Sequence, residues 1–172
     1  MTKAIQLTAF GGPDVLRYVD VEVGAPGPGE VRVRQHACGI NFIDVYQRTG
    51  LYANPLPLIP GGEGAGVVEA VGAGVTHLAE GDRVAYASPK PGGYSQVRVL
   101  DATHVCRLPD EIDFETGAAM MLKGLTANYL LRRTLPVEGL APGDAILWHA
   151  VHGAGSTPPP PGPGAEGEDP GD

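Results

Sequence analysis

One segment rich in glycine and valine, residues 58–87, restricts the fold of this chain more than any other stretch. Its glycine content makes a stable helix unfavourable, whereas the valines of residues 67–71 favour a half-buried strand. Gly64, Gly66 and Gly72 suit bends or the close approach of two backbones in a curved sheet. A turn and a second strand complete the segment. It therefore predicts a tightly turned piece of a β-barrel.

The residues on either side of this segment alternate short apolar runs with turns. Strands are predicted at residues 4–8, 15–23, 31–40, 94–99 and 103–107. One short helix is predicted at residues 42–48, with Asn41 as its N-cap and Gly50 as its stop signal. Many short strands with frequent turns and a single short helix fit an antiparallel barrel or sandwich.

The apolar pattern changes to a helical period after Asp113, which is a candidate N-cap. A helix is predicted over residues 114–134, and its glycines predict a break near Lys123 and Gly124. A connector then leads to an apolar run at residues 145–150. This run is typical of the buried parallel strand that opens a doubly wound domain.

The composition of the chain changes abruptly after Ala150. Twelve of the 21 residues from His152 to Asp172 are glycine or proline, and four acids carry half of the net charge of −8. Such a segment cannot offset the entropy cost of ordering its backbone, so residues 151–172 are predicted to be disordered. The remaining residues form no basic patch, and nucleic acid is not an expected partner.

The two cysteines, Cys38 and Cys106, each follow a histidine by two residues. On a strand this spacing places each pair on one face, which allows a two-Cys, two-His metal site if the strands are neighbours. A reduced pair of thiols is the favoured interpretation. The sequence has neither an apolar run of membrane-spanning length nor a signal peptide, so a soluble cytoplasmic protein is expected.

Five stretches of the sequence match one protein family in order and spacing. They are CGINFIDVYQRTGLY (residues 38–52), PGGEGAGVVEAVG (60–72), GDRVAYA (81–87), LKGLTANYLLRRT (122–134) and ILWHA (146–150). Together they resemble the NADPH-dependent quinone oxidoreductases, zinc-free members of the medium-chain dehydrogenase/reductase superfamily. The resemblance implies a mainly β chain with some α structure. It places a GroES-like catalytic barrel at residues 1–135 and the connector and first strand of a Rossmann domain at 136–150, before the tail.

For the active site, the resemblance implies that NADPH reduces a quinone in a cleft between the two domains. The implied catalytic residues are Asn41, Tyr46 and Tyr52. The implied cofactor-binding residues are Asn41, Phe42, Tyr46, Lys123, Thr126, Gly153 and Gly155. Tyrosine and asparagine side chains can donate hydrogen bonds to a quinone oxygen as negative charge develops on it.

No catalytic metal is expected at this site. In the zinc-dependent relatives a cysteine and a histidine ligate the metal, and the matching positions here are Asn41 and Gly62. An amide and a hydrogen atom cannot replace a thiolate and an imidazole. Cys38 lies three residues before the ligand position and is expected to pack at the end of a strand.

Each candidate residue also has a purely structural interpretation. Asn41 can be a helix cap, Tyr46 and Tyr52 can be packing aromatics, and Lys123 can be a solvated helix charge. Glu63 is expected to be a turn residue or a buried structural acid in preference to a proton donor.

The resemblance fails at the phosphate-binding turn. Gly153 and Gly155 keep a fragment of it, but the prolines of residues 158–161 forbid the helix that should follow. We therefore expect a frameshifted or C-terminally truncated product that lacks most of the Rossmann domain, binds NADPH weakly or not at all, is inactive, and loses the family homodimer. The alternatives are a barrel that serves as a protein-interaction module and a metal-dependent dehydrogenase, against which Asn41 and Gly62 argue.

Overall fold

The computed structural model describes residues 1–134 and Gly143. Within that part, seven strands and two α-helices follow one another along the chain. The strands are β1 (Thr2–Gln6), β2 (Arg17–Val21), β3 (Glu30–Gly39), β4 (Glu63–Val71), β5 (Arg83–Ala87), β6 (Val97–Asp101) and β7 (Val105–Arg107). The helices are α1 (Phe42–Thr49) and α2 (Phe114–Tyr129), and a π-helical turn, Leu130–Thr134, continues α2. The predicted strand at 145–150, the tail at 151–172 and the Gly153–Gly155 fragment lie outside the described residues.

The barrel is built from one five-stranded antiparallel sheet and a hairpin that closes against it. The sheet has the order β6-β3-β4-β5-β7, and β1 pairs with β2 in the hairpin. Backbone hydrogen bonds join β1 and the residue after it to the loops of the main sheet, among them Ile5 N to Tyr94 O and Leu7 N to Leu58 O, each 2.8 Å long. The mainly β chain with some α structure is therefore confirmed.

The alternating pattern of β3 determines which face of the sheet is buried. Val31 and Val33 are fully buried and pack with Val68, Val84 and Tyr86 in the barrel interior. Arg32, between the two valines, is partly exposed and Arg34, after the second, is exposed, as expected for a half-buried strand. Burying each valine contributes on the order of 1.5 kcal/mol, so this cluster is a principal source of the barrel's stability.

Gly66 in β4 and Gly72 just after it make close backbone packing possible, as the sequence predicts. A Cβ atom on Gly66 would lie 2.0 Å from the carbonyl oxygen of Arg34 on β3. A Cβ atom on Gly72 would lie 1.8 Å from the carbonyl oxygen of Gly27. Real Cβ atoms do not approach a carbonyl oxygen so closely, and only glycine fits at these two positions without moving the backbone.

Helix α2 packs across the outer face of β3, β4 and β5. A second small cluster joins Ala118 of α2 to Ala65, Ala85 and Leu108 beneath the helix. Gly117 allows the close approach, because a Cβ atom there would lie 3.0 Å from the Leu108 side chain. None of the helices in residues 1–134 is both long and apolar enough to cross a membrane.

Three sequence-based expectations about the elements need correction. The strand predicted at 15–23 is shorter, since a 3-10 turn at Pro13–Val15 precedes β2. The strand predicted at 103–107 begins only at Val105, because the Asp101 side chain accepts from Thr103 N at 2.9 Å and stabilises a 3-10 turn. The helix break predicted near Gly124 is absent from α2, because one glycine costs only about 1 kcal/mol relative to alanine.

Candidate functional site

The centre of the candidate site is Glu63, the first residue of β4. Its side chain is fully buried, with 0% of its surface exposed. Oε1 accepts hydrogen bonds from Asn41 Nδ2 at 2.7 Å and from Lys123 Nζ at 2.6 Å. Oε2 accepts from the backbone amide of Leu122 in α2 at 2.6 Å. Glu63 is thus the buried structural acid that the sequence favoured, and it joins β4 to both helices.

Gly39 provides the space that this carboxylate occupies. Gly39 ends β3 and pairs directly with Glu63 across the two strands. A Cβ atom on Gly39 would lie 2.2 Å from Oε1 of Glu63. The glycine in the motif that begins at Cys38 is therefore required by the packing of the acid.

Asn41 caps α1 and is itself buried, with 6% of its surface exposed. Its backbone amide donates to Asp44 Oδ2 at 2.9 Å, which is one half of a capping box. Its side-chain oxygen lies near the amide of Asp44, but that amide donates to Asn41 O at 3.0 Å. Oδ1 therefore has no hydrogen-bond partner among the described residues. Because its Nδ2 donates to Glu63, Asn41 serves the internal structure of the site.

Asp44 connects α1 to the loop before β6. Its Oδ2 atom also accepts from the Tyr94 hydroxyl at 2.7 Å. Burial, together with this hydrogen bond to Asp44, raises the pKa of the Tyr94 phenol well above its usual range. A carboxylate in the first turn also favours the helix, because the backbone amides there carry partial positive charge.

Three aromatic rings form an aromatic row: Phe42 and Tyr46 on α1 and Tyr52 in the turn after it. The ring centroids of Phe42 and Tyr46 are 5.1 Å apart, and those of Tyr46 and Tyr52 are 5.3 Å apart. Both pairs meet edge to face. Phe42 is 69% exposed and Tyr52 is 53% exposed, so the row can meet a planar ligand.

Lys123 and Thr126 on α2 differ in what they can offer a ligand. The side chain of Lys123 is 22% exposed, and its ammonium group keeps further hydrogens beyond the one that meets Glu63. Thr126 is exposed, but its hydroxyl donates to the carbonyl oxygen of Leu122 at 2.8 Å. Of these two side chains, Lys123 is therefore the one that keeps a further donor for a ligand.

The groups that meet Glu63 are N–H donors from Asn41, Lys123 and Leu122, which are not metal ligands in that role. The described residues contain no group of three or more His, Cys, Asp or Glu side chains that could hold an ion. The two-Cys, two-His alternative is wrong, because β4 and β5 separate Cys38 on β3 from Cys106 on β7. Three strand spacings place the two cysteines about 14 Å apart.

Cys38 also departs from its expected packing role. It is exposed and lines a groove of about 500 Å³ together with Leu16, Tyr18 and Ile40. Partial shielding from water, followed by the negative charge of Asp44, raises the pKa of the Cys38 thiol. The thiol is therefore a poor nucleophile at neutral pH.

Two members of the site were not found from the sequence. A sequence pattern could have identified Asp44, since Asn41-x-x-Asp44 has the spacing of a capping box. No sequence pattern could have identified Tyr94, because its hydrogen bond to Asp44 joins residues 50 positions apart. The hydrogen bond from Leu122 N to Glu63 is equally non-local.

Comparison with known proteins identifies the family of this barrel. The alcohol dehydrogenase GroES-like domain family matches residues 27–134. The chain belongs to this family. The GroES-like chain is 55% identical over 154 residues to a quinone oxidoreductase of Pseudomonas aeruginosa, a match that covers 89% of this chain and 46% of that protein. Quinone oxidoreductase 1 of Escherichia coli is 45% identical with the same two coverages.

Solved structures lead to the same family. The quinone oxidoreductase of Pseudomonas syringae matches with a TM-score of 0.77 and 55% identity, covering 79% of this chain and 42% of that one. The Escherichia coli quinone oxidoreductase complexed with NADPH matches with a TM-score of 0.76 and 47% identity, covering 78% and 41%. The resemblance drawn from the five motifs is confirmed. The chain spans about half the length of the curated relatives it matches.

Proposed function

We propose that the barrel carries the quinone-facing and nicotinamide-facing part of an NADPH-dependent quinone oxidoreductase that uses no metal. The observation that carries this proposal is the aromatic row beside an ion pair whose lysine reaches the surface. Exposed rings offer flat apolar faces to a planar ligand, and the ammonium offers a hydrogen bond to a ligand oxygen. NADPH supplies the hydride when it is bound, so alignment of the two ligands is the main task of the barrel.

The predicted catalytic set enters this proposal with one change. Tyr46 and Tyr52 donate hydrogen bonds from the aromatic row to a quinone oxygen as negative charge develops on it. Asn41, whose side chain is buried and donates to Glu63, orients this corner of the site without touching the quinone. Phe42 contributes an apolar face to the nicotinamide side.

NADPH fits this surface at its nicotinamide end. Tyr46 lies one turn of α1 from Phe42, and Lys123 reaches toward Ile40 O at 3.5 Å, next to the start of the same helix. Gly153 and Gly155 are assigned to the phosphates of the cofactor. Thr126, like Lys123, is assigned to contact the cofactor from α2, as the family resemblance implies. Since the phosphate-binding turn is followed by prolines, we propose that the 172-residue polypeptide binds NADPH weakly.

The domain division and the setting of the protein belong to the same proposal. Residues 1–135 form the GroES-like catalytic domain, 136–150 the connector and first Rossmann strand, and 151–172 the tail. A cytoplasmic location suits an enzyme that uses NADPH. The expected loss of the family homodimer stays a prediction, and analytical ultracentrifugation of the polypeptide checks it.

Saturation-transfer difference NMR with NADPH tests the proposal. Saturation of the protein should pass most strongly to the nicotinamide protons and most weakly to the adenine protons. The double variant Tyr46→Phe, Tyr52→Ala removes both hydroxyls and one ring from the aromatic row and should reduce the nicotinamide signal. Tyr18→Ala, which removes an exposed ring on β2, is the matched control. Transfer centred on adenine, or none at millimolar NADPH, would contradict the assignment.

One observation favours a second candidate, in which the barrel binds another protein. The end of α2 and the π-helical turn after it expose three large apolar side chains: Leu125 at 54%, Tyr129 at 50% and Leu130 at 41%. Contiguous apolar exposure of this kind is typical of interaction surfaces. Replacing Leu125 and Tyr129 with glutamate distinguishes the ligand-binding function from the protein-binding function. If the barrel binds NADPH, these substitutions should leave the nicotinamide signal intact. If it binds another protein, they should abolish the capture of that partner.

A further inference from the structure

The junction between β4 and α2 contains a buried negative charge with a single cationic partner among the described residues. Glu63 has no exposed surface, and Lys123 is the only side chain that forms an ion pair with it there. A charge removed from water is tolerated only when it is paired and hydrogen-bonded. The carboxylate meets both conditions, because Asn41 and Leu122 satisfy the acceptor sites that Lys123 leaves.

We propose that Glu63 is a positioning residue for Lys123. Its carboxylate holds the ammonium group at the surface of the site, where the ammonium donates to an oxygen of the bound ligand. The inference rests on the proposed function, since it names the ligand as NADPH or the quinone beside it.

The hydrogen bonds fix the carboxylate in both position and rotation. Oε1 is held by Asn41 Nδ2 at 2.7 Å and Oε2 by Leu122 N at 2.6 Å, so the group cannot turn about its last bond. Lys123 Nζ donates to Oε1 at 2.6 Å, a short charge-assisted hydrogen bond. The flexible lysine side chain is therefore held in one orientation by a rigid acceptor.

The ammonium group retains the capacity to bind a ligand. It has three hydrogens, of which one meets Glu63. The contact to Ile40 O, at 3.5 Å, is too long to be a strong hydrogen bond. Lys123 is 22% exposed whereas Asn41 is 6% exposed, so the lysine is the member of this group that a ligand can reach.

A carboxylate is required, because every partner of Glu63 is a donor. Both oxygens accept N–H groups, and a glutamine would direct its own NH₂ group at one of these donors. Glu63→Gln keeps the size of the side chain while it releases Lys123. Glu69→Gln is the matched control: Glu69 lies on the same strand and pairs with Arg32 at 2.9 Å, away from the site.

The first measurement follows the side-chain ammonium of Lys123 by ¹⁵N NMR in the 172-residue polypeptide. An ammonium held by a short hydrogen bond and shielded from water exchanges its protons slowly enough to be observed. We expect the signal in the unsubstituted chain and in Glu69→Gln, and its loss in Glu63→Gln with the backbone spectrum retained. Persistence of the signal in Glu63→Gln would overturn the inference.

The second measurement is the dissociation constant for NADPH, taken from the same spectra. Loss of one charge-assisted hydrogen bond corresponds to roughly a tenfold to hundredfold weakening. Glu63→Gln and Lys123→Met should each weaken binding by that factor, and the double variant should weaken it no further. Additive losses, or unchanged affinity in Glu63→Gln, would overturn the inference while leaving the proposed function in place.

Two further outcomes of these measurements bear on the inference: no NADPH binding by the unsubstituted chain, and failure of Glu63→Gln to fold. If the unsubstituted chain does not bind NADPH at millimolar concentration, the proposed function and the ligand-directed half of this inference are both contradicted, and the ammonium signal alone judges the pairing. If Glu63→Gln does not fold, Glu63→Asp replaces it. The aspartate keeps the charge but withdraws it by about 1.5 Å, and it should retain the signal with weaker NADPH binding.

Discussion

Lys123→Met is the substitution whose effect on stability follows most directly from the structure. Methionine keeps a similar length and apolar stem but removes the ammonium that lies 2.6 Å from Glu63 Oε1. The carboxylate then stays fully buried with only the N–H groups of Asn41 and Leu122. Breaking a buried ion pair on one side costs about 3–5 kcal/mol. Because Lys123 is 22% exposed and two hydrogen bonds remain, we expect the lower end, about 3 kcal/mol.

This free energy can be converted into a shift of the melting temperature. An unfolding entropy of about 2.1 cal/mol/K per residue amounts to roughly 0.28 kcal/mol/K for the 134 contiguous described residues. A loss of about 3 kcal/mol therefore lowers Tm by roughly 10 °C. Circular dichroism melting and urea titration measure the two quantities independently.

The double variant Glu63→Gln, Lys123→Met separates charge burial from lost packing. With the charge removed from both sides, the double variant should be more stable than Lys123→Met alone, since no unpaired ion is left inside. Lys3→Met is the control, because Lys3 pairs with Asp20 at 2.7 Å with both side chains well exposed, and its loss should cost below about 1 kcal/mol. A loss below about 1 kcal/mol for Lys123→Met, or strict additivity in the double variant, would refute the reasoning.

Three other predictions use different parts of the fold. Gly66→Ala should destabilise the barrel by about 3 kcal/mol or more, measured by urea titration, because its Cβ atom would lie 2.0 Å from Arg34 O; a neutral effect would contradict the packing. Alkylation of Cys38 by iodoacetamide at pH 8 should be slower than that of free cysteine, because its pKa is raised, and Asp44→Asn should speed it; equal rates would disagree. Folding raises the pKa of Tyr94. The neutral phenol therefore contributes its full share to the stability of the fold below the unfolded-state pKa near 10, and that contribution is lost as pH rises above this value. Tyr94→Phe should therefore flatten the fall in urea midpoint between about pH 9 and pH 11, and an unchanged slope would argue against the shift.

The barrel was predictable because its signals are local. Val31 and Val33 alternate with arginines, and the glycines of β4 occur where two backbones meet closely. The end of α1 at Gly50 follows from the left-handed conformation there, with φ of 84°. Each of these features is visible within about ten residues of sequence, which is the range over which propensity and periodicity operate.

The interior of the site was less predictable because its contacts are not local. Glu63 meets Lys123 across 60 positions, and Tyr94 meets Asp44 across 50. The sequence could name Glu63 as a structural acid but could not tell which donors would surround it. Asn41 was expected to cap α1, to line the ligand pocket, or to do both. The structure shows it at the N-cap with its side-chain amide donating to Glu63, and its role toward a ligand stays a prediction. Only the packing of α2 against β4 decides which polar groups remain free for a ligand.

A residue-resolved NMR titration of the polypeptide with NADPH tests the central claim most directly. That claim is that the aromatic row and the Glu63–Lys123 pair form the ligand-facing part of a metal-free reductase. The account predicts chemical-shift changes concentrated at Tyr46, Tyr52 and Lys123, saturating on the order of 1 mM NADPH. Changes confined to the groove beside Leu16 and Tyr18, or affinity in the micromolar range without any change at Lys123, would contradict it.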